Sequence, residues 1–506
     1  MTVLVHNALA DLKLPAVFCD HMVLQRDAAV PVWGWAEPGE EITVAFAGQT
    51  KTAKAGPDGK WMVKLDPMPA SAEPRELSVS ANPKSEIRNL KLSDVLVGEV
   101  WLGSGQSNMA MSVNRARDFD QEKAAANLPL IRMFKEESGP ANTPQTIGKG
   151  QWTVCTPETV SSFSATLYFF GREVHRKLNV PVGLINSSVG GTPIESWIDA
   201  DAQRHTPELK AFFEAQKTTA KEFDAVAAKA NYEKQLARWR VAAKEAKAAG
   251  KTPPRAPRDP LAVRGRKGNV GGLFNGKIAP LIPYAIRGAV WYQGEANAQP
   301  TKAQFYQYHL SLLVKEWRAR WGSDFPFAWA QLPNFTRPGE YWMLVREAML
   351  KSLAVPNTGM AITIDIGDPK DIHPKNKQEV GRRLSLWALG TVYGKKVAAT
   401  SGPLPAGHEV RGSAVALSFK HTDGGLVAKG GGEVKGFQIA GADKAWKPAQ
   451  AKIAGDKVIV SSPDVKQPVA VRYAWAPNPD CNLANGAGLP ASPFRTDDWK
   501  EGQSTP

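Results

Sequence analysis

At 506 residues the chain exceeds what one hydrophobic core supports, and two or three domains are predicted. A hydrophobic content of 43% with 16 Trp excludes a disordered or fibrous protein, and no run approaches the ~20 apolar residues of a membrane-spanning helix, so no membrane insertion is expected. The formal charge of +14 is not read as a nucleic-acid footprint: sixteen Lys and Arg against seven Asp and Glu lie between Gln203 and Gly268, which fits a solvated helical face, with attraction to anionic sugars or an acidic polymer as the alternative.

Met1 to Ala10 lack both a basic start and an apolar stretch long enough for a secretory signal. From Leu14 to about Leu92 apolar residues alternate at period two. Ile42, Val44 and Phe46 share one face, and Trp61, Val63 and Leu65 share another across the Pro57-Asp58-Gly59 loop, which predicts an N-terminal β-sandwich over residues 1–92. Cys19, Cys155 and Cys481 are odd in number and outside any C-x-x-C pattern, which argues against a disulfide framework or structural zinc while leaving room for one bridge. Asp20, His21 and Gln25 near the start of this region are read as structural.

From Ser93 the pattern changes to apolar runs, Val95 to Leu102, Val180 to Ile185, Ile286 to Tyr292, Phe327 to Leu332 and Met360 to Ile364, separated by helical stretches. Leu167, Phe170, Val174 and Leu178 repeat at helical spacing, as do Val380, Leu384 and Trp387. The fold class is therefore α/β, with a mostly parallel sheet flanked by helices over residues 93–400, and polar tips gathered at the carboxyl ends of the strands where such sheets bind ligands. An insertion at about residues 203–268 predicts one or two long helices, with a ragged stripe of Phe223, Val226, Tyr232, Leu236 and Trp239. The prolines between Pro253 and Asp259 return the chain as an irregular strap. Alternation resumes after Thr400 (Val415, Leu417, Phe419, then Val458, Val460, Val469, Val471 and Tyr473), predicting a C-terminal β-sandwich and tail over residues 401–506.

The polar tips carry the chemistry. In V-W-L-G-S-G-Q-S-N-M, Val100 to Met109, glycines bracket a strand-to-helix bend that can lift Ser107 clear of the sheet. A serine in such a loop is commonly only a turn residue or a cap, but it has company: the Gly190-Gly191 pair, the tip with Gln293, Glu295 and Asn297, and the late Asp371 and His373. The G-Q-S-N-M block, W-Y-Q-G-E-A-N at Trp291 to Asn297, and D-I-H-P at Asp371 to Pro374 resemble the signature blocks of the sialate O-acetylesterase family, within the SGNH (GDSL-like) hydrolases, from roughly Leu14 to Phe494. The resemblance implies a periplasmic or extracellular protein and a C-terminal tail packed on the hydrolase region.

Ester hydrolysis needs a nucleophile, a base and donors for the developing oxyanion. Ser107 is the expected nucleophile and His373 the base. The oxyanion donors are expected to be the backbone N–H of Ser107, an N–H of the Gly190-Gly191 pair with Gly191 preferred, and the carboxamide of Gln293, where the broader superfamily carries asparagine. The usual D-x-x-H pattern is broken by Lys370, so Asp371 is ranked first as the acid orienting His373, with Asp365 and Asp368 as alternatives. These acids are spaced by three, unlike a calcium loop, His373 lacks a second histidine at helical spacing, and no G-x-x-x-x-G-K loop is present, so no metal or other cofactor is expected. Glu195, Glu295, Asn297, Arg346 and Trp197 are candidate sugar contacts; Trp101, Trp291, Tyr341 and Trp342 are read mostly as core. The expected reaction is deacetylation of an acetylated sugar or polysaccharide, sialate or xylan, with the oligomeric state open. A carbohydrate-binding protein with a vestigial site, and a lipase or thioesterase on the same fold, are the rivals.

Overall fold

The computed structural model describes residues 12–81, 88–222, 224–254, 256–260, 269–336 and 339–499. Met1 to Ala10 and Phe223, which entered the expectations above, lie outside them.

Strands β1 (Val23–Gln25), β2 (Val30–Trp35), β3 (Glu41–Phe46), β4 (Gln49–Lys54), β5 (Lys60–Leu65) and β6 (Ser71–Ala81) build the N-terminal region. Strands β2 and β5 pair antiparallel, while β4, β3 and β6 lead onto the first half of β7 (Arg88–Gly105), which β1 flanks in parallel. Ile42, Val44, Phe46, Trp61, Val63 and Leu65 are all buried, as alternation at period two requires. Gly59 supplies a positive φ of 77° at the turn between β4 and β5, where Asp58 accepts the Lys60 N–H at 3.1 Å.

The boundary expected after residue 92 falls inside β7. This strand has 18 residues and leaves the N-terminal sheet to become the middle strand of a second one. With β8 (Leu128–Glu136), β9 (Gly150–Cys155), β10 (Val182–Ser188), β11 (Gly288–Tyr292), β12 (Phe327–Ala330) and β13 (Thr358–Ala361), the central order is β13-β12-β11-β7-β10-β8-β9. Every neighbour pairs in parallel except β9, an antiparallel edge beside β8. Strands β8 and β9 had not been expected.

Alternate residues of these strands enter two different cores. Trp101, Val290 and Tyr292 pack under helices Ala165–Leu178 and Lys377–Trp387, with Leu167, Phe170, Val174, Val380, Leu384 and Trp387. Leu102, Ala289 and Trp291 face the other way, onto helices Tyr306–Trp321 and Tyr341–Lys351, with Leu310, Leu313, Trp317, Val345 and Met349. The fold is thus α/β, a mostly parallel sheet with helices on both faces, plus antiparallel sheets.

The insertion forms helices Lys210–Glu222 and Ala225–Ala248. The second is held by the proline-rich strap, through Trp239 Nε1 donating to the Pro254 carbonyl at 2.6 Å and Lys229 pairing with Asp259 at 2.9 Å. Beyond Thr400, strands Leu404–Arg411, Ala414–Lys420, Lys457–Ser461 and Gln450–Ala454 form one antiparallel sheet, and Phe437–Ala440 and Ala470–Tyr473 belong to another. Their shared core includes Val415, Leu417, Val458, Val460, Val471 and Tyr473, whereas Val469 is exposed. The C-terminal segment packs on the α/β layer: Gln331 Nε2 donates to Ser492 Oγ at 2.9 Å, and Arg495 pairs with Glu347 at 2.8 Å. No helix among the described residues is long and apolar enough to cross a membrane.

Gly105 ends β7 with φ of 134°, and a Cβ there would stand 2.2 Å from the Tyr292 carbonyl oxygen of β11. Gly105→Ala is expected to lower the stability measured by urea unfolding by roughly 3 kcal/mol, through backbone strain and the forced separation of two central strands.

Candidate active site

Ser107 opens a four-residue helix, Ser107–Ala110, directly beyond β7. The bend before it is held by Gln106, whose N–H donates to the Tyr292 carbonyl at 3.0 Å and whose Oε1 accepts the Ala296 N–H at 3.2 Å. As first residue of the helix, Ser107 presents a backbone N–H with no intrahelical acceptor.

His373 lies in the loop between β13 and the helix Lys377–Trp387, 266 residues along the chain from Ser107, and its Nε2 stands 2.8 Å from Ser107 Oγ. With a proton on Nδ1, Nε2 accepts the serine hydroxyl hydrogen. Asp371 Oδ1 accepts the His373 backbone N–H at 2.9 Å and lies 3.7 Å from Nδ1, within ion-pair reach but beyond a hydrogen bond. The two alternative acids are occupied elsewhere: Asp365 pairs with Arg383 and Lys429, and Asp368 accepts the backbone N–H groups of Lys370 and Asp371. Partial burial holds His373 below the ordinary histidine value, opposed by Asp371 and aided by Lys377 and Arg115.

Gly190, beyond β10, faces Ser107, since a Cβ built on it would lie 3.4 Å from Ser107 Cβ. Gly191 follows with φ of 74°. Gln293, expected as an oxyanion donor, is hydrogen-bonded within the protein. Its Nε2 donates to the Thr192 carbonyl at 3.1 Å and to Asn297 Oδ1 at 2.7 Å, and its Oε1 accepts from Tyr306 Oη at 2.9 Å. Both amide hydrogens are used and the side chain is fully buried, so no donor is left for an oxyanion. Gln293 instead ties down the loop that carries Gly190 and Gly191.

The five residues expected to contact sugar are likewise buried and engaged within the protein. Asn297 is wholly buried, accepting the Ile194 N–H at 2.9 Å and donating to Glu195 at 2.9 Å. Glu195 in turn pairs with Lys302. Trp197 is core, with its Nε1 donating to Thr192 Oγ1 at 3.0 Å. Arg346 is wholly buried and donates to the carbonyls of Leu332, Pro333, Ala476 and Pro477; burial lowers it to about 9. Glu295 is 4% exposed, its Oε1 accepting from Asn108 while Oε2 has no hydrogen-bond partner among the described residues. The polar groups among them had looked like sugar ligands because groups that bind hydroxyls also pair with buried backbone and side chains. Trp101, Trp291 and Trp342 are core as read, and Tyr341 is half-buried.

Two residues were missed. Asn108 was quoted only as part of a motif, and Lys377 was not singled out; both are buried, and Lys377 Nζ donates to Asn108 Oδ1 at 2.6 Å. The signal available was position alone, one residue past Ser107 and four past His373. Elsewhere His21 pairs with Asp94 at 2.6 Å, and all three cysteines are free thiols. Among the described residues no group of three His, Cys, Asp or Glu is arranged to hold a metal ion.

The family model described as "Carbohydrate esterase, sialic acid-specific acetylesterase" matches residues 97–249 and 276–388, more than half of the chain. The sialate O-acetylesterase of Mus musculus is 29% identical over 534 residues, covering 94% of this chain and 92% of that protein. The one from Homo sapiens is 28% identical over 521 residues, covering 94% and 90%. A crystal structure of a carbohydrate acetylesterase from Xanthomonas citri is 38% identical and superposes with a TM-score of 0.80, covering 97% of this chain and 100% of that one. The chain is therefore a carboxylic ester hydrolase and belongs to the sialic acid-specific acetylesterase family of carbohydrate esterases.

Proposed function

We propose that this carbohydrate acetylesterase works through an acetyl-enzyme on Ser107, with His373 as base and acid and Asp371 as the group that orients it. The 2.8 Å approach of His373 Nε2 to Ser107 Oγ carries this reading. Ser107 Oγ attacks the acetyl carbonyl carbon and passes its proton to Nε2. The oxyanion takes hydrogen bonds from the Ser107 N–H and from an N–H of the Gly190-Gly191 pair. As the intermediate collapses, His373 returns the proton to the departing sugar oxygen, leaving acetyl-Ser107. Water activated by the same nitrogen then releases acetate. General acid–base transfer of this kind contributes about 10²- to 10⁴-fold.

For substrate, an acidic sugar such as an O-acetylated sialic acid is favoured over neutral xylan. Arg115 is exposed on the turn Val113–Arg115 and close enough to lower the basicity of His373. The next turn of chain reaches the histidine loop directly, since the Arg117 N–H donates to the Lys375 carbonyl at 2.9 Å. An exposed guanidinium at this rim suits a sugar carboxylate. The curated relatives are sialate O-acetylesterases by name.

Three outcomes test this. A serine-directed phosphonate is expected to label Ser107, and Ser107→Ala to lower deacetylation of acetylated sialic acid by about 10³-fold or more. Full activity without the hydroxyl removes the acyl-enzyme, and faster turnover of acetyl-xylooligosaccharides than of the sialate removes the acidic-sugar preference. Because the neutral imidazole is the active form and its pKa is lowered, kcat/KM is expected to stay level above the ordinary value of 6.5 and to fall only as pH drops through a midpoint below it; a midpoint above 6.5 contradicts the burial argument. Gln293→Ala, which removes the buried amide's bonds to the Thr192 carbonyl, Asn297 and Tyr306, is expected to cost roughly 2–3 kcal/mol in urea unfolding as well as turnover. Unchanged stability with lost turnover would restore Gln293 as a direct oxyanion donor.

A further inference from the structure

Beneath the serine and histidine runs a buried polar chain with no part in the acyl-transfer steps themselves. Asn108 Nδ2 donates to Glu295 Oε1 and to the Ile372 carbonyl, the latter at 3.0 Å. Asn108 Oδ1 accepts from Lys377 Nζ at 2.6 Å, and Lys377 Nζ also donates to the Pro374 carbonyl at 2.8 Å. Ile372 and Pro374 are the two neighbours of His373. One carbonyl on each side of the catalytic histidine is therefore gripped by a fully buried side chain, and one of the two grips belongs to the residue next to Ser107.

The placing of Lys377 is hard to explain as stability. It is the first residue of the helix Lys377–Trp387, beside the N-cap Asn376, where the helix dipole opposes a cation. It is fully buried and lies 5.3 Å from the centre of the Tyr292 ring. Burial pulls its pKa down to about 7, offset by Glu295 and Asp371 and reinforced by Arg115, while burial raises Glu295. Buried ionisable pairs of this kind contribute little net stability over apolar replacements. What they supply here is direction: Asn108 uses both of its amide hydrogens, and Lys377 places two of its hydrogens on two fixed acceptors.

We propose that Lys377, Asn108 and Glu295 form a positioning unit that holds the His373 peptide from both sides and so sets the imidazole against Ser107. None of the three touches the reacting atoms. The inference rests on the reading of Ser107 and His373 as nucleophile and base.

The test compares Lys377→Met, Asn108→Ala, Glu295→Ala and Glu295→Gln in the full chain. Turnover of 4-nitrophenyl acetate is counted per site that a serine-directed phosphonate labels after exhaustive reaction, so unfolded protein does not enter. Lys377→Met and Asn108→Ala are expected to lower kcat per labelled site by about 10- to 100-fold, the effect of a small misplacement of a reacting group, with KM within about twofold. Glu295→Gln keeps an acceptor facing Asn108 and is expected to retain at least about tenfold more turnover than Glu295→Ala. Normal turnover per labelled site, with only the labelled fraction reduced, overturns the proposal, as does equal loss in the two Glu295 variants. Failure of the wild type to label at Ser107 is a different result, and it overturns the nucleophile assignment instead.

Discussion

Strand β7 is one uninterrupted run of backbone that serves two sheets. Its first half pairs with β6 and β1, and its second half is the middle strand of the parallel sheet, between β10 and β11. Because hydrogen bonds fix its register on both sides, the point at which it stops is fixed as well, and Ser107 stands two residues past that point. The Gly190-Gly191 loop and the Gln293 tip follow β10 and β11, the two partners of that same half-strand. The placing of Ser107 is thus inherited from pairing, and loop rigidity adds to it rather than creating it.

That inheritance explains which parts of the molecule were readable in advance. Apolar runs such as Val180 to Ile185 and Phe327 to Leu332 became strands, and Leu167, Phe170 and Val174 became a buried helix face, because period and burial are written in side-chain polarity. Strands β8 and β9 were missed: β8 carries Arg132 and Lys135 among its apolar residues, and the pairing of β8 with β9 is broken by a register shift between Leu128 and Arg132. The expected junction at residues 92–93 lies within β7, because a change of texture marks where side-chain surroundings alter and the strand runs on through it.

At the candidate site, Ser107 and the glycine pair stood out in the sequence because they follow apolar runs that end in strands β7 and β10, and His373 because it lies in a polar loop with no apolar period to explain it. The partners did not. Gln293, Asn297 and Arg346 carry side chains whose donors suit a sugar hydroxyl or a peptide carbonyl equally, and sequence alone does not state burial. Asn108 and Lys377 escaped for the opposite reason, as ordinary-looking residues whose surroundings are assembled from β7, β11 and the histidine loop. The charge surplus of the insertion was readable in kind: helix Ala225–Ala248 has only Ala243 buried among its described residues, so its cations are mostly solvated.

Arg346 joins two layers of the molecule that sequence texture had separated. Two of its carbonyl acceptors, Leu332 and Pro333, follow β12 of the central sheet, while Ala476 and Pro477 belong to the C-terminal segment. A guanidinium that divides its donors across such a seam couples the two sides, since parting them breaks its bonds to Ala476 and Pro477. A chain cut before the C-terminal segment would keep only two of the four carbonyls that hold Arg346 beside β12, so the loss would be felt inside the α/β layer as well.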